Sequence, residues 1–532
     1  MTKFTKEQLE ILHKYVSNPG GKVFVLSLPA GYNGAAMVRY SRSNDDLQSV
    51  IVKEFIDEKG QIKFSRADEL VERILIQFGD DSVGELEGAH ICIEDISNLA
   101  TKEIEDCRIG GSPIEKSSRY VFQDVLDEQG QFKYLREPKI MQSRHRDLYI
   151  TTMDFLFNTY ASIKNPMIEL FKKKCPIENF SVDIRGDGIK RKLSDLVEKD
   201  DIVAFKKTYN FSLRTNACDA IRIVLPAATL TNMGIFGNGR FFQNVLTKLY
   251  SNQLSELQEL AQGIHNELNK TMPRYVQRAG KDNYLKETQA NMQDLTDRLL
   301  EYIKPKKEDN IIFVNDEPSL EQILSISKAI DPQKQIGSVI RENFINNITA
   351  QMLYTYSEHP LQQLRFIVKN LSFETKIKIL NTYNGDRQHR RNRPGRALEY
   401  GYPLTWDITA GFGIYRDLHR HRMLTQQRQR LTTRLGFEDI PEEIKEIEAE
   451  DKIKEAVERT SNLYETLRAD FREESQYAVL FGNKIRWTIG MNIREAMHLF
   501  ELRTSKQAHK TYKRLCQDAH QMLLKWNEPI GS

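Results

Sequence analysis

The sequence predicts an α+β fold in which helices dominate, organised as two domains. Three observations carry this expectation. Leucines recur at helical spacing over long polar stretches, as from Gln253 to Leu300, where Leu254, Leu257, Leu260 and Ile264 share one face. Short apolar runs such as KVFVLSL, SVIVKEF and IRIVLP read as strands between them. The chain has 532 residues, more than the roughly 250–300 that a single hydrophobic core serves.

The N-terminal MTKFTKEQLEILHKYV is an amphipathic helical pattern with charge along its length, and no stretch of the chain joins 18 apolar residues. Secretion and membrane spanning are therefore not expected, and a cytoplasmic protein is. Cys92, Cys107, Cys175, Cys218 and Cys516 are scattered and lack CxxC spacing, which argues against a disulfide framework or a metal site.

In YIKPKKEDNIIFVNDEP (302–318), proline and charge end the long helical pattern before the strand-like IIFV. The domain boundary falls near residue 305, giving 1–305 and 306–532. The second half repeats an order found in the first. AIRIVLPAATLTNMGIFGNGRFFQNVLTKLYSNQLSELQEL (220–260) and YAVLFGNKIRWTIGMNIREAMHLFELRTSKQAHKTYKRL (477–515) share a V-L pair, a short loop, an N-x-R element and a leucine-rich helix. Ahead of this skeleton the first half is longer, and its extra residues fall within 125–210, where DIRGDGIKRKLSDLVEKDD reads as a surface insertion.

Formal charge is only +3, so the arginines of RDLHRHRMLTQQRQRLTTRLGF (416–437) are a local concentration in a balanced chain. Six guanidiniums and two imidazoles around one acid suit an oxyanion site, because planar guanidinium forks bind phosphates bidentately. A second RHR, Arg144 to Arg146, lacks this setting and reads as a solvated helix start.

CRIGGSPIEKSSRY (107–120) resembles the RHRxxSxNExSxRY signature of flavin-dependent thymidylate synthases, with Ser112, Glu115, Ser117, Arg119 and Tyr120 in register. Upstream, DDSVGELEGAHICIEDISNLATKEIED resembles the family segment that enters the signature through a strand and a helix. RIVLP and NGRFFQN resemble its closing elements. The second half resembles another copy, through RALEYGYPLTWDITAGFGIYRDLHRHRMLTQQRQR and NIREAMHLFELRTSKQAH. The departures are complementary. The first copy has CRI for RHR and keeps ExSxRY and Arg222, with Leu249 at the late arginine. The second keeps Arg420, His421, Arg422 and the late Arg503, and has RQRLTTR for ExSxRY.

The resemblance implies two tandem copies of the family's helix-rich domain with mixed or antiparallel sheets. It implies C5 methylation of dUMP to dTMP, with FAD as cofactor and methylenetetrahydrofolate and NADPH as cosubstrates. Arg420, His421, Arg422, Asn492, Arg494, His498, Asn238, Arg240, Asn244 and Ser82 would line the flavin site. Glu115, Ser117, Arg119, Tyr120, Arg222 and Arg503 would bind the nucleotide, with Ser117 and Arg503 as the catalytic residues, Ser117 at the phosphate and Arg503 against the uracil edge. A homodimer would stand in for the family tetramer, with no membrane or long nucleic acid as partner. Hydroxymethylation or another C5 modification of a pyrimidine nucleotide remains open, as does a noncatalytic nucleic-acid-binding or degenerate paralogue.

Overall fold

The computed structural model describes residues 4–57, 61, 84–314, 320–388, 392–400, 404–505 and 510–528. Two compact units result. One comprises residues 1–94, 103–115 and 231–283, and the other comprises 95–102, 116–230 and 284–532. The second unit therefore joins a long piece of the first sequence half to nearly all of the second.

The first unit holds most of a three-stranded sheet of β1 (Gly88–Ser97), β2 (Gly111–Glu115) and β3 (Leu230–Asn238), in the order β1-β3-β2. β2 and β3 are antiparallel, from Gly111 opposite Gly237 to Glu115 opposite Met233. β1 leads into helix α1 (Asn98–Glu105), the strand and helix that the motif reading places before the signature. α2 (Gly239–Tyr250) follows β3. Its Asn238 cap accepts the Phe241 N–H at 2.8 Å, which satisfies one of the amides that a helix start leaves bare.

The second unit is built on an antiparallel sheet of β4 (Ile311–Val314), β5 (Leu404–Gly411), β6 (Thr425–Arg428) and β7 (Lys484–Met491), in the order β4-β5-β7-β6. β4 is the IIFV run expected as a strand. Trp406 on β5 and Trp487 on β7 are fully buried. Asp407 on β5 is tied to the neighbouring helix Pro332–Tyr354, because Tyr354 Oη donates to it at 2.6 Å. The Leu361 N–H donates to its other oxygen at 2.7 Å, so this buried carboxyl is satisfied.

Within this unit, corresponding parts of the two copies meet. Pro226 and Leu480, 254 positions apart like the capping asparagines 238 and 492, form a bridge. The Ala227 N–H donates to Val479 O at 2.7 Å, and the reciprocal Phe481 N–H donates to Leu225 O at 2.8 Å. Ala228 N–H to Tyr477 O and Gly482 N–H to Ile223 O repeat the exchange one step out. Each partner is the other's counterpart at the same offset. The contact is thus isologous, a two-fold interface of the kind two subunits make, here inside one chain.

Several local expectations are corrected. Val23 and Val25 of KVFVLSL are exposed, and the run joins only a single bridge, Val16 to Leu26. SVIVKEF is helical: Asp46 caps Leu47–Val50, and a π turn continues over Ile51–Phe55. IRIVLP ends the helix Lys199–Ile221 with a 3-10 turn over Arg222–Val224, stopped before Pro226. A short apolar run has no period to separate a strand from a buried turn, and the preceding helix or cap decides. The long helical pattern 253–300 is three helices, Ser255–Thr271, Pro273–Val276 and Asn283–Leu300, because Pro273 removes an amide and can only start a turn.

Asp183–Asp201 is largely exposed, as an insertion should be, but the longer first half also supplies the buried-faced helix Arg146–Lys174. Arg146 begins that helix as expected of the second RHR. His145, however, is buried at its cap, with Nε2 2.8 Å from Asp470.

Candidate functional site

Helix α3 (Phe412–Leu418) leaves β5 and is buried along its whole length. It carries Arg416 and Asp417 inward and delivers Arg420, His421 and Arg422 to the turn before β6. Arg416 is 3% exposed; its Nη1 donates to Ser118 Oγ at 3.1 Å and its guanidinium lies 4.5 Å from the Phe481 ring. Asp417 accepts from Arg222 Nη2 at 3.1 Å, and both side chains are nearly covered.

Arg222 also reaches Asp219, at 3.7 Å one helical turn back. Asp219 is in turn held by a fork: Arg119 Nε and Nη2 donate to its two oxygens at 2.9 and 2.8 Å. Ser117 Oγ accepts the Arg119 backbone N–H at 3.2 Å. Residues of the first copy's ExSxRY and RIVLP elements thus share one cluster with Arg416 and Asp417 of the second copy.

Burial is the largest influence on the Asp417 carboxyl and pushes its pKa up, yet the pKa is lowered. Arg222, Arg119, Arg420 and Arg416, in that order, outweigh the burial. Burial likewise works against the charge of Arg119, but the hydrogen-bonded Asp219 overcomes it and the net shift is upward. Arg119, Arg222, Arg416 and Arg420 stand against Asp219 and Asp417, four positive charges against two negative.

Beside this cluster, helix α4 (Ile493–Arg503) begins at the Asn492 cap, which accepts the Glu495 N–H at 3.0 Å. Its last residue, Arg503, donates from Nε to His421 Nε2 at 2.9 Å, and His421 Nδ1 lies 2.8 Å from Glu495 Oε1. His498 stacks at a tilt 5.5 Å from the His421 ring. Tyr512, on the helix Lys510–Trp526, has its ring 5.6 Å from the Arg503 guanidinium.

Of the residues singled out in the sequence, Ser117, Arg119, Arg222, Arg420, His421 and Arg503 are drawn together in the second unit. Arg422, Asn492, Arg494 and His498 are exposed on the same elements. Tyr120 packs on Phe211 with rings 5.3 Å apart. Glu115, Asn238, Arg240 and Asn244 belong to the first unit. There Glu115 is buried at the end of β2, Asn238 is a helix cap, Arg240 pairs with Glu85, and Asn244 is half-buried on α2. Ser82 lies outside the described residues.

The rest of the arginine strip has other partners. Arg430 bonds Glu473 and Gln293, both at 2.7 Å, and Arg434 forks onto Glu465 at 2.7 Å. With Arg416 buried as well, the strip is not one continuous row open to a polyanion.

Sequence reasoning missed Asp219, Asp417, Arg416, Ser118, Glu495 and Tyr512. A usable signal existed for two of them. Asp219 precedes Arg222 by one helical turn, and Asp417 is the single acid in the arginine strip. Among the described residues, no helix is long and apolar enough to cross a membrane.

The family model for the thymidylate synthase complementing protein, Thy1, matches residues 33–274 and again 386–527, one segment in each half of the chain. The UPF0159 protein of Chlamydia muridarum is 36% identical over 99% of this chain and 94% of its own length. A UPF0159 protein of Chlamydia pneumoniae is 35% identical over 99% and 93%. One from Thermoplasma acidophilum is 30% identical over 90% and 89%. Among solved structures, the flavin-dependent thymidylate synthase ThyX of Helicobacter pylori, complexed with FAD and dUMP, aligns at 18% identity. That alignment covers 48% of this chain and 96% of ThyX, with a TM-score of 0.25. The chain belongs to the Thy1 family of thymidylate synthase complementing proteins and carries the family's helix-rich α+β domain as two tandem copies.

Proposed function

We propose that this protein methylates dUMP at C5, using methylenetetrahydrofolate and reduced FAD recharged by NADPH. The observation that carries the reading is the shared cluster: the nucleotide-side residues kept by the first copy, Arg119 and Arg222, meet Arg416, Asp417 and Arg420 of the second. Guanidiniums gathered from both copies around Asp417 suit a phosphomonoester, which planar forks bind bidentately.

In this reading Arg119, Arg222 and the Ser117 hydroxyl hold the nucleotide phosphate. Arg503 faces the base and stabilises negative charge as N3 ionises and C5 becomes nucleophilic. A preorganised donor of that kind contributes about 2.7–4 kcal/mol. Arg420, Arg422, Asn492, Arg494 and His498 offer exposed donors and a helix start to the dinucleotide, a chemistry that suits its phosphates. Reduced flavin, when bound, would supply the hydride that completes the methyl group. The chain's own part is to bind, orient and stabilise charge. The repeats divide near residue 305, and two chains assemble as a homodimer in the cytoplasm in place of four single-domain subunits.

The test is tritium release from C5-labelled dUMP, with flavin-loaded protein, methylenetetrahydrofolate and either NADPH or excess reduced flavin. Release with a methyl product supports the reading, whereas a hydroxymethyl product moves it to the alternative C5 chemistry. No release from protein that visibly holds flavin overturns it.

A further inference from the structure

His421 sits between two partners that leave it one chemical arrangement. The Arg503 Nε–H can only donate, so the Nε2 that it approaches at 2.9 Å must present a lone pair. The proton of the neutral ring is then on Nδ1 and is donated to Glu495 Oε1, 2.8 Å away. His421 and Glu495 are both buried, at 6% and 8% exposure, while Arg503 at the far end is only partly covered. Burial, followed by Arg503 and His498, pushes the His421 pKa down to about 3, in keeping with an uncharged ring.

The first copy supplies an internal comparison. In the motif register CRI stands where the second copy has RHR, so Arg108, which can only donate, is the counterpart of His421. The offset that relates the two asparagine caps makes Phe241 the counterpart of Glu495 and Leu249 that of Arg503. All three polar members are thus replaced by groups that cannot form the chain, and Phe241 and Leu249 are buried apolar residues of α2. The three differ between the copies as a set, as expected of parts that act together.

We infer that Glu495 and His421 are positioning residues for Arg503: the carboxylate fixes the imidazole tautomer, and the imidazole fixes the guanidinium that the site presents. The inference deepens the proposed function and rests on it for what Arg503 does. The positioning itself can be tested without turnover.

The activity-free test is ¹⁵N NMR of histidine-labelled full-length protein at pH 7, with His421 assigned by its loss in His421→Gln. The expected pattern is a protonated Nδ1 and a bare Nε2. A protonated Nε2, or a doubly protonated ring, overturns the inference whether or not the protein acts on dUMP. The kinetic test compares single and double variants. Arg503→Ala should lose about 100-fold in kcat. Glu495→Ala and His421→Ala should each lose at least about tenfold, and adding either to Arg503→Ala should cost less than about twofold more. Glu495→Gln keeps an Oε1 acceptor for the His421 Nδ1–H and should stay within about threefold of the parent. Additive losses, or Glu495→Gln as impaired as Glu495→Ala, would show that the two residues do not act through Arg503. If the wild type is inactive on dUMP while the tautomer pattern is as expected, the proposed reaction falls and the positioning stands.

Discussion

Replacing Asp417 by alanine isolates the ion cluster on which the two copies meet. The carboxylate is buried with Arg222 Nη2 at 3.1 Å, and Arg416 and Arg119 also act on it from within the unit. Two unit charges about 4 Å apart, at an effective dielectric near 20, interact by about 4 kcal/mol. Removing one partner of a buried pair costs roughly 3–5 kcal/mol, since the other charge remains desolvated. Asp417→Ala is therefore expected to destabilise the second unit by about 3–5 kcal/mol. All three tryptophans, Trp406, Trp487 and Trp526, belong to that unit, so urea unfolding followed by tryptophan fluorescence reads it directly. The pH dependence has a definite sign. Arginines hold the folded-state pKa of Asp417 below its ordinary value, so its contribution is present above about pH 3.9 and is lost as pH falls through the folded value. A loss under about 1 kcal/mol at pH 7, or a parent and variant whose stabilities do not converge in acid, would refute this account of the cluster.

Flavin titration should reach one FAD per chain rather than two. Cys107, Arg108 and Ile109 stand in the first copy where the second has Arg420, His421 and Arg422, and next to them Asp106 pairs with Lys248 at 2.8 Å, which also lies 3.2 Å from Glu103. The absorbance ratio of reconstituted protein decides, and two flavins per chain would show that this acidic loop still binds. Asn492→Ala removes the α4 cap and should cost about 1 kcal/mol in the same fluorescence assay, with Asn492→Ser retaining most of it. Alkylation at pH 8 should modify the exposed Cys92 well before Cys218 and Cys516, whose thiols burial pushes up to about 12; mass mapping of early adducts checks the order. For His421, depressed to about 3 chiefly by burial, the unfolded chain takes up the proton first. Stability should fall as pH drops from about 6.5 toward 3, and His421→Gln should flatten that slope.

The sequence by itself determined the duplication, the family and much of the local order. The N-x-R elements became matched asparagine caps on matched helices because capping is local chemistry, written within four residues. IIFV became a strand, and motif register alone marks Arg119, Arg222, Arg420 and Arg503. Tertiary structure decided which charges face one another. Nothing local in SSRY points to Asp219, 100 positions on, and nothing in HRHR points to Glu495 or Arg503, 74 and 82 positions on. Such partners are set by where the chain returns, and burial then makes each pairing obligatory. Only the fold could show that residues 225–228 and 477–482 bond reciprocally across a local two-fold. A sequence repeat records a duplicated domain, but the symmetry of its packing arises when the two copies bury each other's backbone.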